Sequence, residues 1–172
     1  MNKKGALELS MNTIIIIVIG VVLLSLGLMF VRGIFTQTTD LSEKVFANAN
    51  KELDALGGSV NSAIVASPMT VRMKAGETSG FVVQVTNLEQ DGTYNGLTGV
   101  LGSNDQRIAC TFTDGTTQKN IRTLISGAED RLQVFVRSQK GVIGTKSCKF
   151  TLNGLPENTF FDNEVEVIVV VS

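Results

Sequence analysis

From Met11 to Val31 the chain runs MNTIIIIVIGVVLLSLGLMFV without a charge, and the apolar stretch continues to Phe35. At about 1.5 Å per residue, the roughly twenty residues from Thr13 to Val31 reach about 30 Å, the thickness of a bilayer's hydrocarbon core. The stretch therefore predicts a membrane-length helix, and everything else is what precedes or hangs from it. Lys3 and Lys4 stand before it and Asp40 and Glu43 after it. That asymmetry predicts an N-terminus inside and a C-terminus outside. The apolar run is too long for a secretory signal peptide, and no small-x-small cleavage site follows it.

Beyond the run, Leu41, Val45, Ala49, Leu53 and Leu56 recur every three or four residues, with Glu43, Lys44, Asn48, Lys51, Glu52 and Asp54 on the other faces. This is one apolar helical stripe, stopped by Gly57-Gly58. The expectation is one long helix, or two nearly collinear ones, over 11–56, with a leader at 1–10, a linker at 57–68 and a β domain at 69–172. Gly20 and Gly27, seven apart, share a helical face where small residues let helices approach.

Lys3-Lys4-Gly5, followed by Glu8 and the apolar run, resembles the class III leader of archaeal type IV pilin-like proteins. The resemblance implies cleavage by a prepilin peptidase after Gly5, leaving Ala6 first, and a role for Glu8 in registering a new subunit against a neighbour's amine. The family's acid usually stands at the fifth mature position, whereas Glu8 would stand at the third. The alternative for Glu8 is a place among headgroups beside Lys3 and Lys4.

From Ser59 the pattern changes to period two, with turn residues every ten or so positions. Eight strands are expected: 70–74, 80–86, 96–101, 107–113, 121–125, 131–137, 145–152 and 164–171. That rhythm predicts a two-sheet sandwich. Phe81, Val83 and Val85, with Leu132, Val134 and Val136, should face its core. The stretch KAGETSGFVVQVTNLEQDG, with its strand ending in Val85-Thr-Asn87, resembles the opening of immunoglobulin-like modules of prokaryotic surface proteins. The last strand, too apolar for one wet face, is expected to be central or to be covered by the amphipathic helix or a neighbouring subunit.

Chemistry is sparse. The chain has no histidine, and Lys+Arg 15 balance Asp+Glu 16, so neither a nucleic-acid footprint nor the commonest general base is available. No phosphate loop, CxxC, HExxH or calcium-loop spacing occurs, so no enzyme activity, metal or cofactor is expected. Cys110 and Cys148 lie in similar strand-like settings. Outside the cell they would pair, closing a loop of roughly forty residues for about 3–4 kcal/mol; otherwise they are two buried thiols.

The expectation is thus a non-enzymatic subunit of an archaeal pilus-like filament. Its partners would be further copies of itself, the membrane, prepilin peptidase and the assembly machinery, with no nucleic acid. It would reside in the cell membrane before assembly and at the cell surface afterwards. The alternative is a single-pass membrane-anchored surface protein whose immunoglobulin-like domain binds a partner or carbohydrate.

Overall fold

The computed structural model describes residues 3–56, 62–155 and 162–172, with helical side chains described at 13–29 and 43–55. Two compact units result, Met1–Asp40 and Leu41–Ser172. Helix α1 (Lys3–Leu56) is proline-free, with leucines among its β-branched Ile and Val.

In the first unit, the large apolar side chains from Ile14 to Met29 are between 50% and 74% exposed. Among the described residues no helix is long and apolar enough to cross a membrane. The expected transmembrane helix, the membrane as partner and the membrane localisation are corrected accordingly. A Cβ at Gly20 or Gly27 would meet nothing within 4 Å, so neither glycine serves a close approach within the chain. The side-chain environments of Lys3, Lys4, Gly5, Ala6, Glu8, Leu41 and Leu56 lie outside the described residues.

The second unit is an all-β immunoglobulin-like sandwich with the last turns of α1 against one side. Its strands are β1 (Ile64–Ser67), β2 (Thr70–Met73), β3 (Thr78–Thr86), β4 (Thr93–Tyr94), β5 (Thr98–Ser103) and β6 (Ile108–Phe112), then β7 (Gln118–Asn120), β8 (Leu124–Ile125), β9 (Glu129–Ser138), β10 (Gly144–Asn153) and β11 (Glu164–Val171). One sheet has the order β1-β3-β9-β6, the other β2-β11-β10-β5-β7, and β4 pairs with β8 alone. The chain changes sheets at the cis Ser67–Pro68 bond, so that β1 runs antiparallel to β3 while β2 runs parallel to β11. Strand β1 stands in the stretch read as linker. The short β4 and β7 fall where turn chemistry outweighs any visible alternation, and β8 is the end of the strand expected at 121–125.

Between the sheets lie Phe81, Val83, Val85, Leu132, Val134 and Val136, facing Phe150, Leu152, Val167 and Val169. The alternation read along the third and ninth strands orients both as expected. The last strand takes the first of its two expected places. β11 is central, between β2 and β10, but its outer face is not helix-covered: Ile168 is 45% exposed. The helix instead covers the other sheet, because Val82 on β3 is apolar on the outer face too, and it packs with Phe46, Ala49 and Leu53.

Asn87, fully buried just past β3, explains the Val-x-Asn ending. Its side-chain amide donates to the carbonyls of Gly92 and Leu124 at 3.0 and 2.9 Å, and its Oδ1 accepts from the Glu89 amide at 3.0 Å. Asn87→Ala leaves these buried backbone groups unpartnered and will cost about 2–4 kcal/mol, read as a lowered urea midpoint with an unchanged slope. An Asn87→Ala midpoint equal to that of the parent would show that the loop closes without it.

Candidate functional site: the helix-strapped sheet and its cleft

Two features set the second unit apart from a bare sandwich: the helical strap and the cleft beside it. The strap's contact face is Phe46, Ala49 and Leu53, spaced three and four, as a helix requires to present one side. It meets Val82, Val65 and Phe135, with the Phe46 and Phe135 rings tilted at 57° and 5.3 Å between centroids. Gly80 makes room for this, since a Cβ there would stand 2.8 Å from the Phe46 ring and 2.7 Å from the Val134 carbonyl. The sequence stripe is therefore half right. Leu53 is buried as expected and Val45 half-buried, but the stripe omits Phe46, whose ring makes the aromatic contact. An aromatic one position off a periodic row was the available signal.

Polar contacts flank the apolar ones. Ser67 Oγ donates to Glu52 at 2.5 Å, and Arg131 on β9 pairs with Asp54 at 2.7 Å and Glu129 at 3.0 Å. These surface-edge pairs orient the helix more than they stabilise it. Asn50 Oδ1, Gln84 Oε1 and Arg131 Nε, all buried atoms, have no hydrogen-bond partner among the described residues.

Alongside the strap opens a cleft of about 230 Å³, lined by Asn48 and Glu52 of α1, Thr70 and Arg72 of β2, and Ser79 and Gly80 of β3, among others. Arg72 is exposed and pairs with no carboxylate among the described residues. β2 is the outermost strand of its sheet.

The cysteines are brought together. Cys110 on β6 and Cys148 on β10 form a disulfide, with Cα atoms 6.1 Å apart. It ties one sheet to the other, but through an edge strand, rather than the second and sixth strands joined in antibody domains.

The strongest surface charge cluster lies at the β5–β6 turn. Asp105 holds Arg107 at 2.8 Å and Lys146 of β10 at 2.9 Å. The Arg107 guanidinium, then its backbone N–H, then the Lys146 ammonium keep the Asp105 carboxyl well below the usual carboxylate range. A group with a depressed folded-state pKa stabilises above its unfolded value near about 4 and loses that contribution as pH falls. The acid limb of the stability curve below about pH 4 will therefore be shallower in Asp105→Asn than in the parent, with no difference in shape between pH 6 and 8. Identical acid limbs would show the cluster to be energetically idle. At Tyr94, burial first, and then the Glu89 carboxylate, push the phenol above its ordinary value.

Among the described residues no group of three His, Cys, Asp or Glu side chains could hold a metal ion.

No family model matches the chain, and no curated protein matches it. Solved structures do resemble it. WR4, a member of the MSP family of Caenorhabditis elegans, is 13% identical over 64% of this chain and 97% of its own, with a TM-score of 0.40. Domains 4 and 5 of the S-layer protein SbsC are 15% identical over 65% of this chain and 46% of theirs, at 0.42. The CARDB domain of the PF1109 protein of Pyrococcus furiosus is 21% identical over 63% of this chain and 84% of its own, at 0.43. Resemblances this distant bear on no ligand or partner.

The archaeal pilin-like reading is overturned, because neither a family model nor a curated relative supports it. Lys-Lys-Gly before an apolar run is too short a signature to carry a family, and the displaced acid at Glu8 already departed from it. With the family go the filament subunit, self-association in a filament, prepilin peptidase and the assembly machinery as partners, and residence in a surface filament. The alternative of a membrane-anchored binding protein loses its basis too, since among the described residues no helix is long and apolar enough to cross a membrane.

Proposed function

We propose that the chain is a non-catalytic structural module for oxidising surroundings, an immunoglobulin-like sandwich braced internally by its disulfide and externally by the last turns of α1. The observation that carries this reading is the Cys110–Cys148 bond between the two sheets. Disulfides persist in secreted, periplasmic or surface settings and are rare where thiols are kept reduced. A sandwich whose sheets are cross-linked holds its faces and loops in fixed relation under conditions that no cytosolic protein meets.

The test is thiol mapping. Native material quenched in acid and alkylated under denaturing conditions should carry no label at Cys110 or Cys148 until it is reduced. Full labelling of both without reduction would overturn the reading.

A further inference from the structure

We propose that the cleft between α1 and β2 takes an extended, acidic segment of a partner protein as an added strand. Among the described residues β2 pairs only with β11, in parallel. The amides of Ile168 and Ser172 donate to the carbonyls of Met69 and Met73 at 2.9 and 3.1 Å. Backbone groups alternate sides along a strand, so the odd-numbered residues of β2 face β11. The N–H and C=O groups of Thr70 and Arg72 therefore face the open edge, which the cleft borders. A row of unpaired donors and acceptors along an edge is a template for another strand. Grooves that combine such an edge with neighbouring side-chain walls recognise extended peptides, main chain for affinity and alternate side chains for specificity.

The walls specify the guest. In an antiparallel addition, the guest residue opposite Arg72 projects from the same face and lies about 5 Å away, Cβ to Cβ. Arg72, without a carboxylate partner among the described residues, favours an acid there. The guest residue opposite Val71 turns to the other face, toward the wall that Ala49 and Gly80 line, which suits a small apolar side chain. The residue opposite Thr70 is outward and polar. The guest reads acid, small apolar, polar. Glu52, the carboxylate on the cleft wall, stands at the Ser67 end, where it accepts from the Ser67 hydroxyl, and the acid is placed at the Arg72 end.

The probe is a fluorescein-labelled peptide, Thr-Ser-Glu-Val-Thr-Ser-Thr, titrated into the full disulfide-bonded chain and followed by anisotropy, with hydrogen exchange read by mass spectrometry. Saturable binding is expected, with slowed exchange over 69–73. Methylating the probe's Glu and Thr amides that face Arg72 and Thr70 should weaken it at least tenfold, and so should Arg72→Glu. A probe with Lys in place of Glu should recover binding to R72E. Thr70→Pro, which removes one open-edge donor at a position where an edge strand tolerates proline, should also lose binding while keeping the parent's melting curve. No saturation at millimolar probe would overturn the proposal. So would equal affinity of the methylated probe, protection away from 69–73, or concentration-dependent protection of 69–73 without probe, which would name a second copy as occupant.

Discussion

Leu53→Asp will detach the last turns of α1 from the sandwich and lower the stability of the second unit by about 4 kcal/mol or more. Leu53 is only 1% exposed and shares its contact face with Phe46, Ala49 and Val82. Truncating a leucine so buried to alanine costs about 2–5 kcal/mol, and a carboxylate in the same place adds desolvation without an ion partner. No compensating cation is well placed, since Arg131 is already shared by Asp54 and Glu129. Once the strap lifts, Val82, Val65 and Phe135 face water together. Urea unfolding of the disulfide-intact chain reads the loss as a lower midpoint, with dye binding to the uncovered sheet before the main transition. Lys51→Asp, on an exposed position of the same helix, should move the midpoint by no more than about 0.5 kcal/mol. If Leu53→Asp and Lys51→Asp behave alike, the helix is not part of the cooperative unit.

Reduction of the Cys110–Cys148 bond comes next in size. The two residues are 38 apart in sequence, and closing a loop of that length in the unfolded chain is worth about 4 kcal/mol on the entropy model. In a unit of this size that corresponds to a fall in melting temperature on the order of 10 °C. Both sulfurs are buried, so reduction should need denaturant or heat before it proceeds. Calorimetry of the native and the fully reduced chain at the same pH measures the difference. A midpoint unmoved by complete reduction would mean that the bridge does not restrict the unfolded state, and would remove the bracing argument with it.

These two results probe different levels of legibility. The period-two alternation in Phe81–Val85 and Leu132–Val136 was readable because a strand with one dry face must place apolar residues at every second position. On β11 the continuous valine run pointed to a central or a covered strand without deciding between them; the strand is central, and Ile168 on its outer face is 45% exposed. Alternation did fail at Thr93–Tyr94, whose two-residue strand is too short to show a period, whereas Leu124–Ile125 lies within the expected strand 121–125. The cleft was invisible for another reason. Thr70, Arg72 and Gly80 carry no motif, and they become a site only because β2 is an edge.

Composition and periodicity by themselves determined that this chain has a long apolar helical segment, an amphipathic continuation and an all-β remainder with two cysteines in strands. They did so because side-chain solvation is a local property, expressed at the period of the backbone that carries it. Tertiary structure alone decided which sheet the strap covers, that Phe46 supplies its aromatic contact, and that the disulfide joins an edge strand to a central one. It also decided that β2 ends its sheet with open backbone groups. Strand order and edge position arise from contacts between residues far apart in the chain, and no local pattern encodes them.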